Sequence, residues 1–218
     1  VSMGRRIYTN LKKAIQYIIS IHIPIILTVF LPLALGWIYP NILSPVHIIF
    51  LELIMEPTCS IIFENEPMEK NTMLQKPRPF VTSFFNWKEL MTSIIQGLAI
   101  TAGTLLVYKY SVYTGLDEAQ TRTMVFTVLI VANIFLTLVN RSFYYSIFTT
   151  LKYKNNLVAM IIGITIIISA LLLYIPIFAN FFQFGTLSIS QLLIASAIGF
   201  IAVIWFEFYK LRTRLKNK

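Results

Sequence analysis

The chain has 218 residues, 57% of them hydrophobic and only 12% charged, with a formal net charge of +9. A soluble domain carries about 25% charged residues, which argues against a water-soluble enzyme, and 17 Phe and 11 Tyr argue against a disordered chain. A single cysteine excludes an internal disulfide and a cysteine-cluster metal centre, and basic residues set between long apolar runs point to anionic lipid headgroups rather than nucleic acid.

A membrane-spanning helix needs roughly 20 mostly apolar residues. In chain order, residues 1–13 read as a basic, amphipathic helix running into the first apolar run, 14–39. The start, Val-Ser-Met-Gly-Arg-Arg, has no signal-peptide features and leads us to expect further chain ahead of it. Pro24 and Pro32 predict a kink in the first run. The second run, 46–63, carries Pro57 and should be unwound or bent there. Runs at 90–110, 122–140, 156–178 and 188–209 follow, and 210–218 is a basic tail. All are longer than the 9–11 residues of a barrel strand and lack period-two alternation. The expectation is one all-α, polytopic bundle of six transmembrane helices over 14–209, without repeats or linkers.

Six spans place both termini on one side. All Lys and Arg residues except Lys109 and Arg122 then fall on that side, so the positive-inside rule makes the termini cytoplasmic. Glu64, Glu66 and Glu69 fall in the second loop and Asp117 and Glu118 in the third, where they read as solvated charges. Glu89, Glu207 and His47 read as interfacial.

Glu52 and Glu56 stand apart, since they lie inside the second span at i and i+4 and share one helix face. An ionised carboxylate at the bilayer centre costs about 2.5–3.5 kcal/mol even on a lenient scale. Two on one face are read either as protonated, hydrogen-bonded groups or as the lining of a cation site; the second reading is preferred. Hard cations take carboxylate, amide and free carbonyl oxygens. Pro57 has no N–H and leaves the Leu53 carbonyl without its helical donor. His22 in the first span and Asn133 in the fourth are further candidate ligands, each with packing as the competing role, whereas Gln96 reads as a helix–helix hydrogen bond. There is no Walker loop, no GxGxxG, no His-Glu-x-x-His, and the one Asp, Asp117, precedes Glu rather than Lys. No catalytic or nucleotide site is therefore assigned.

The stretch Gly4-Arg5-Arg6-Ile7-Tyr8-Thr9-Asn10-Leu11-Lys12-Lys13 resembles the linker into the fifth transmembrane helix of cation-transporting P-type ATPases of the calcium-pump branch. Phe50-Leu-Glu-Leu-Ile-Met-Glu-Pro57 is similar to the sixth helix with its ion ligands four residues apart. Met73-Leu-Gln-Lys-Pro-Arg-Pro79 resembles the proline-basic loop that follows, and Asn140-Arg141-Ser142 the end of the eighth helix. The resemblance covers nearly the whole chain as helices five to ten. It implies the ion-binding membrane half of a bacterial plasma-membrane pump, with Glu52, Glu56, His22 and Asn133 at ligand places. It also implies that ATP and Mg2+ act only in upstream domains, and that the partners are the lipid bilayer and that upstream half. Ile25 replaces an acidic ligand of two-site calcium pumps, so one ion site near the sixth helix is expected. The alternative is a stand-alone, proton-coupled cation transporter or channel.

Overall fold

The computed structural model describes residues 1–69, 73 and 86–216; Lys70, Lys76, Arg78 and the Lys-Pro-Arg-Pro stretch of the second loop lie outside them. All regular structure among the described residues is helical: α1 (Ser2–Ala34), α2 (Pro45–Pro57), a π-helical segment (Thr58–Phe63), α3 (Trp87–Tyr113), α4 (Glu118–Asn140), α5 (Ile147–Thr150), α6 (Asn156–Tyr174), α7 (Pro176–Phe181) and α8 (Ile189–Lys216). Among them, six helical stretches are long and apolar enough to cross a membrane: α1, α2 with its π segment, α3, α4, α6 and α8.

The helix ends are written locally. Ser44, Asn86 and Asp117 stand at the N-caps of α2, α3 and α4, the first two within capping boxes completed by His47 and Glu89. α1 closes on a Schellman turn, with Trp37 N–H donating to the Pro32 carbonyl and Gly36 to Leu33. The required left-handed residue is Gly36 at φ +59°. Gly115, at φ +76°, closes α3 in the same way.

Consecutive spans alternate in direction. One end of the bundle gathers the start of α1, the end of the π segment, the starts of α3 and α6 and the ends of α4 and α8. Hydrogen bonds there run from Arg6 and Asn10 to the Glu66 carbonyl, from Gln16 to the Glu89 carbonyl and from Lys210 to the Val139 carbonyl. At the opposite end the buried Arg122 donates to the carbonyls of Ile42 and Gln183. His47 is also buried there, 1% exposed, rather than interfacial. Its Nε2 donates to the Phe182 carbonyl at 2.7 Å and its Nδ1 accepts from Ser44 N–H, among the rings of Phe126, Phe182 and Phe184.

Lipid supplies no hydrophobic drive for helix pairing, so close approach and interhelical hydrogen bonds must do it. α4 is buried on most sides and forms the centre. α8 meets it at Gly199, where an added Cβ would sit 2.9 Å from the Val128 carbonyl. α1 meets α3 at Gly97, where a Cβ would sit 2.9 Å from the Ser20 carbonyl. Ser20 lies four residues before Pro24, which has no N–H to offer it; the freed carbonyl instead faces the side-chain-free surface of Gly97. Beside this contact Ser20 Oγ donates to Gln96, and Gln96 pairs with Asn140 on α4 at 3.0 Å. The expected interhelical role of Gln96 is thus present.

Candidate cation site between the first two spans

α1 runs unbroken through Pro24 and Pro32. α2 changes character at Pro57, where the α-helix gives way to a π-helical segment from Thr58. A proline that cannot donate and a widened turn both loosen the backbone ladder, and π turns recur at functional positions. Glu56 immediately precedes this change and is exposed on the outside of the six-helix bundle.

Glu52, one turn earlier, is joined to α1: its Oε1 lies 3.1 Å from His22 Nε2, with the two side chains 42% and 39% exposed. The other imidazole nitrogen, Nδ1, is 2.8 Å from the Ile18 carbonyl. A carbonyl only accepts, so Nδ1 carries the proton of that bond. With a proton on Nε2 as well, the ring donates to the Glu52 carboxylate and the two side chains form an ion pair between α1 and α2.

The remaining candidate, Asn133, lies buried on α4, where its amide oxygen accepts from the Tyr17 hydroxyl of α1. Of the four sequence candidates, the structure thus joins Glu52 to His22, leaves Glu56 on the same helix one turn on, and gives Asn133 a partner of its own. Among the described residues no three His, Cys, Asp or Glu side chains converge into a metal cluster.

Two loop carboxylates expected in solvent are buried instead. Glu66, 0% exposed, lies 2.9 Å from Arg141 Nη2 and accepts from Arg141 Nε at 3.0 Å and from Asn155 at 3.0 Å. Glu69 pairs with Lys13 of α1 at 2.6 Å. The physical reason is shape. The π segment delivers Glu66 between the ends of α4 and α6, where water is excluded and a guanidinium is the available counter-charge. Tyr153 closes this cluster with its ring 5.9 Å from the Arg141 guanidinium. Burial, reinforced by the nearby Glu69 and Glu66, pushes its phenol up to about 12. Sequence spacing held no signal for this cluster, because its members lie 75 and 89 residues apart.

The sequence profile of the family described as "Cation transporting ATPase, C-terminus" matches residues 40–212. The chain is 28% identical over 227 residues to "Calcium-transporting ATPase 1" of Bacillus cereus, covering 97% of this chain and 25% of that protein. It is 24% identical to human "Calcium-transporting ATPase type 2C member 1", covering all of this chain and 24% of that one. Saccharomyces cerevisiae "Calcium-transporting ATPase 1" is likewise 24% identical, over 219 residues. The chain spans about a quarter of the length of these relatives.

Proposed function

The chain belongs to the cation-transporting ATPase C-terminus family, and from that premise we propose that it forms the ion-binding transmembrane half of a P-type pump for a divalent cation. Upstream parts of the same pump supply ATP hydrolysis, Mg2+ and the first four helices. The observation that carries this reading is the face formed by His22, Glu52 and Glu56. Two carboxylates lie in an apolar span beside a helix irregularity, and among the described residues only Glu52 has a protein partner of opposite potential charge. Charges in that setting cost several kcal/mol and face a pathway or a partner helix. Because this face lies on the outside of the six-helix bundle, the upstream helices of the proposed pump would cover it.

In this reading residues 1–13 are the stalk by which upstream movement reaches the site, 14–209 the membrane domain and 210–218 a basic tail. Both termini are cytoplasmic, in a plasma membrane of bacterial type. The names of the relatives favour calcium or a calcium-like ion.

The test is cation-dependent phosphorylation by ATP of the complete pump. Glu56→Gln should abolish it, because Glu56 adjoins the break at Pro57, and Glu52→Gln should lower cation affinity. Wild-type cation affinity in the Glu52→Gln/Glu56→Gln double variant would overturn the assignment. ATP-independent, cation-coupled proton flux by the purified chain would replace it with a secondary transporter. Cysteine labelling of Ser2→Cys from the outer face, in a Cys59-free background, would refute the topology.

A further inference from the structure

At the end of the bundle that holds Arg122, segments far apart in sequence meet on one imidazole. The turn after α7 folds inward, so that Phe182 and Phe184 are buried although they lie in a connection between helices. It is a Schellman turn, in which Phe184 N–H donates to the Ala179 carbonyl at 2.8 Å and Gln183 N–H to the Asn180 carbonyl at 3.1 Å. Gln183 takes the left-handed position, at φ +51°, where α1 and α3 use Gly36 and Gly115. A residue with a Cβ is unfavourable there, so the turn keeps its shape through what it touches. Arg122 Nη1 donates to the Gln183 carbonyl at 2.9 Å, Gly185 N–H to Thr123 Oγ1 at 2.9 Å, and His47 Nε2 to the Phe182 carbonyl at 2.7 Å. The first two partners belong to α4 and the third to the first turn of α2.

His47 fits this place with one ring proton only. Its Nε2–H is directed at a carbonyl, which only accepts, and its Nδ1 lone pair takes the Ser44 N–H at 3.0 Å, which only donates. A second proton, on Nδ1, would face that N–H. Ser44 Oγ, 2.7 Å away, could accept it, but the Ser44 N–H would then lose its acceptor beside a ring that is 1% exposed. The charged group that acts on the ring is Arg122 of α4, which is itself paired with Glu118 at 2.5 Å. Glu118 already answers Arg122, so a second cation beside it has no counter-charge of its own. Residues 42–44 and 182–184 bring no titratable side chain, and the rings of Phe126, Phe182 and Phe184 pack against the imidazole. A buried charge in such a setting is costly.

We propose that His47 is a proton-sensitive latch. With one ring proton it fixes the first turn of α2 to the 182–185 turn and, through that turn, to α4. A second proton, taken up when this end of the bundle is acidified, holds the latch open. The latch is a property of this chain whatever it transports; on the pump reading, the helix it frees is the one that carries Glu52 and Glu56, and the acidified side is the outer one. An imidazole in water takes its second proton near pH 6.5. With that ordinary ring in the open latch and no second proton in the closed one, the latch keeps its full strength above about pH 6.5 and weakens steadily below it. The ratio of open to closed states then rises about tenfold from pH 7.5 to pH 5.5.

The test is hydrogen–deuterium exchange, read by mass spectrometry, on the full-length protein in lipid nanodiscs, where both faces meet the same buffer. Labelling times are scaled to give equal intrinsic exchange at pH 7.5, 6.5 and 5.5. Peptides covering residues 182–187 and 44–50 should exchange about tenfold faster at pH 5.5 than at pH 7.5, while peptides from the middle of α4 should not change. His47→Gln offers a donor to the Phe182 carbonyl and an acceptor to the Ser44 N–H but does not titrate, and should hold the rise below about twofold. A full rise that persists in folded His47→Gln belongs to another group, such as Glu118, and overturns the proposal. Wild-type exchange that is equal at the three pH values also overturns it. Should the variant not fold, the ring C2 proton of His47 decides, because its exchange follows ring protonation. It should change in step with the amides of 182–187, and ring protonation without faster amide exchange, or the reverse, overturns the latch. None of these readouts involves a bound cation, so the latch can fail while the phosphorylation test of Glu52 and Glu56 succeeds, and the converse.

Discussion

Removal of the Glu66 carboxylate should be among the most damaging single changes to this bundle. Glu66 is fully buried, and its two oxygens receive Arg141 Nε at 3.0 and 3.2 Å and Asn155 Nδ2 at 3.0 Å, with Arg141 Nη2 at 2.9 Å. Arg141 is itself 2% exposed. Glu66→Ala therefore leaves a guanidinium out of water with no counter-charge, a loss of about 3–5 kcal/mol. At 1.4 kcal/mol per tenfold, this is a factor of roughly 10²–10⁴ in the folded-to-unfolded ratio. Glu66→Gln keeps one acceptor oxygen and should cost less, about 1.5–3 kcal/mol, the worth of hydrogen bonds to a charged group. Glu66→Met/Arg141→Met removes both charges and should be far milder than the sum of the two single changes. The assay is reversible unfolding in mixed detergent micelles, followed by tryptophan fluorescence. A Glu66→Ala variant within about 0.5 kcal/mol of wild type, the range of an ordinary surface change, would refute the reasoning. A double variant as unstable as the summed singles would do the same.

Three further outcomes follow from other contacts. Gly97→Val should force α1 from α3, since even a Cβ there would lie 2.7 Å from Ile23 Cβ and 2.9 Å from the Ser20 carbonyl; we expect a loss of about 1–3 kcal/mol, read as a lower unfolding midpoint. Asn140→Leu leaves Gln96 with one interhelical partner fewer and should cost about 0.6–2 kcal/mol, measured in the same way, with Gln96→Leu/Asn140→Leu less harmful than the two single changes added. The Tyr153 phenol, near 10.0 when unfolded, is held up to about 12 in the folded chain by burial and the nearby carboxylates. Its contribution to stability is therefore complete below pH 10 and is lost as pH rises from 10 towards 12. Ultraviolet difference titration should show this late ionisation, and Tyr153→Phe should remove it.

The number and identity of the spans were legible because a run of about 20 apolar residues has few other uses. Their ends were less so. The helix read over residues 1–13 does run into the first span, since a charged face does not interrupt helical hydrogen bonding, but α1 ends at Ala34 and not at Tyr39, where the apolar run was read to end. α8 likewise carries the basic tail on to Lys216 without a break. The bend expected at Pro57 takes the form of a π segment from Thr58, a choice that depends on packing against α1 and α6. At the site, the position of Glu52 and Glu56 on one face follows from spacing alone, but the pairing of Glu52 with His22 depends on how α1 and α2 are rotated against each other. Glu66 was misread because an acidic loop residue with its partner 75 positions away has no local signature.

The carboxylates of this chain are separated by how many donors meet them. Glu66 takes a guanidinium and an amide, Glu69 the Lys13 ammonium, and Glu89 the Lys12 ammonium with the Asn86 N–H. Glu118 takes Arg122, and Glu207 takes Lys210 with the Ile147 N–H. In each case the protein itself supplies the positive charge, and a cation would have to displace it. Among the described residues Glu52 is met by the His22 imidazole alone, and Glu56 stands exposed one turn on. Glu64 is also exposed, but it lies in the turn beyond the π segment, at the end of the bundle, where water serves it. Exposure without a strong donor is ordinary at such an end and expensive in an apolar span. Among the described residues Glu52 and Glu56 are the two carboxylates that combine a membrane position with no Lys or Arg partner, and on the proposed reading an arriving divalent ion supplies the positive charge there.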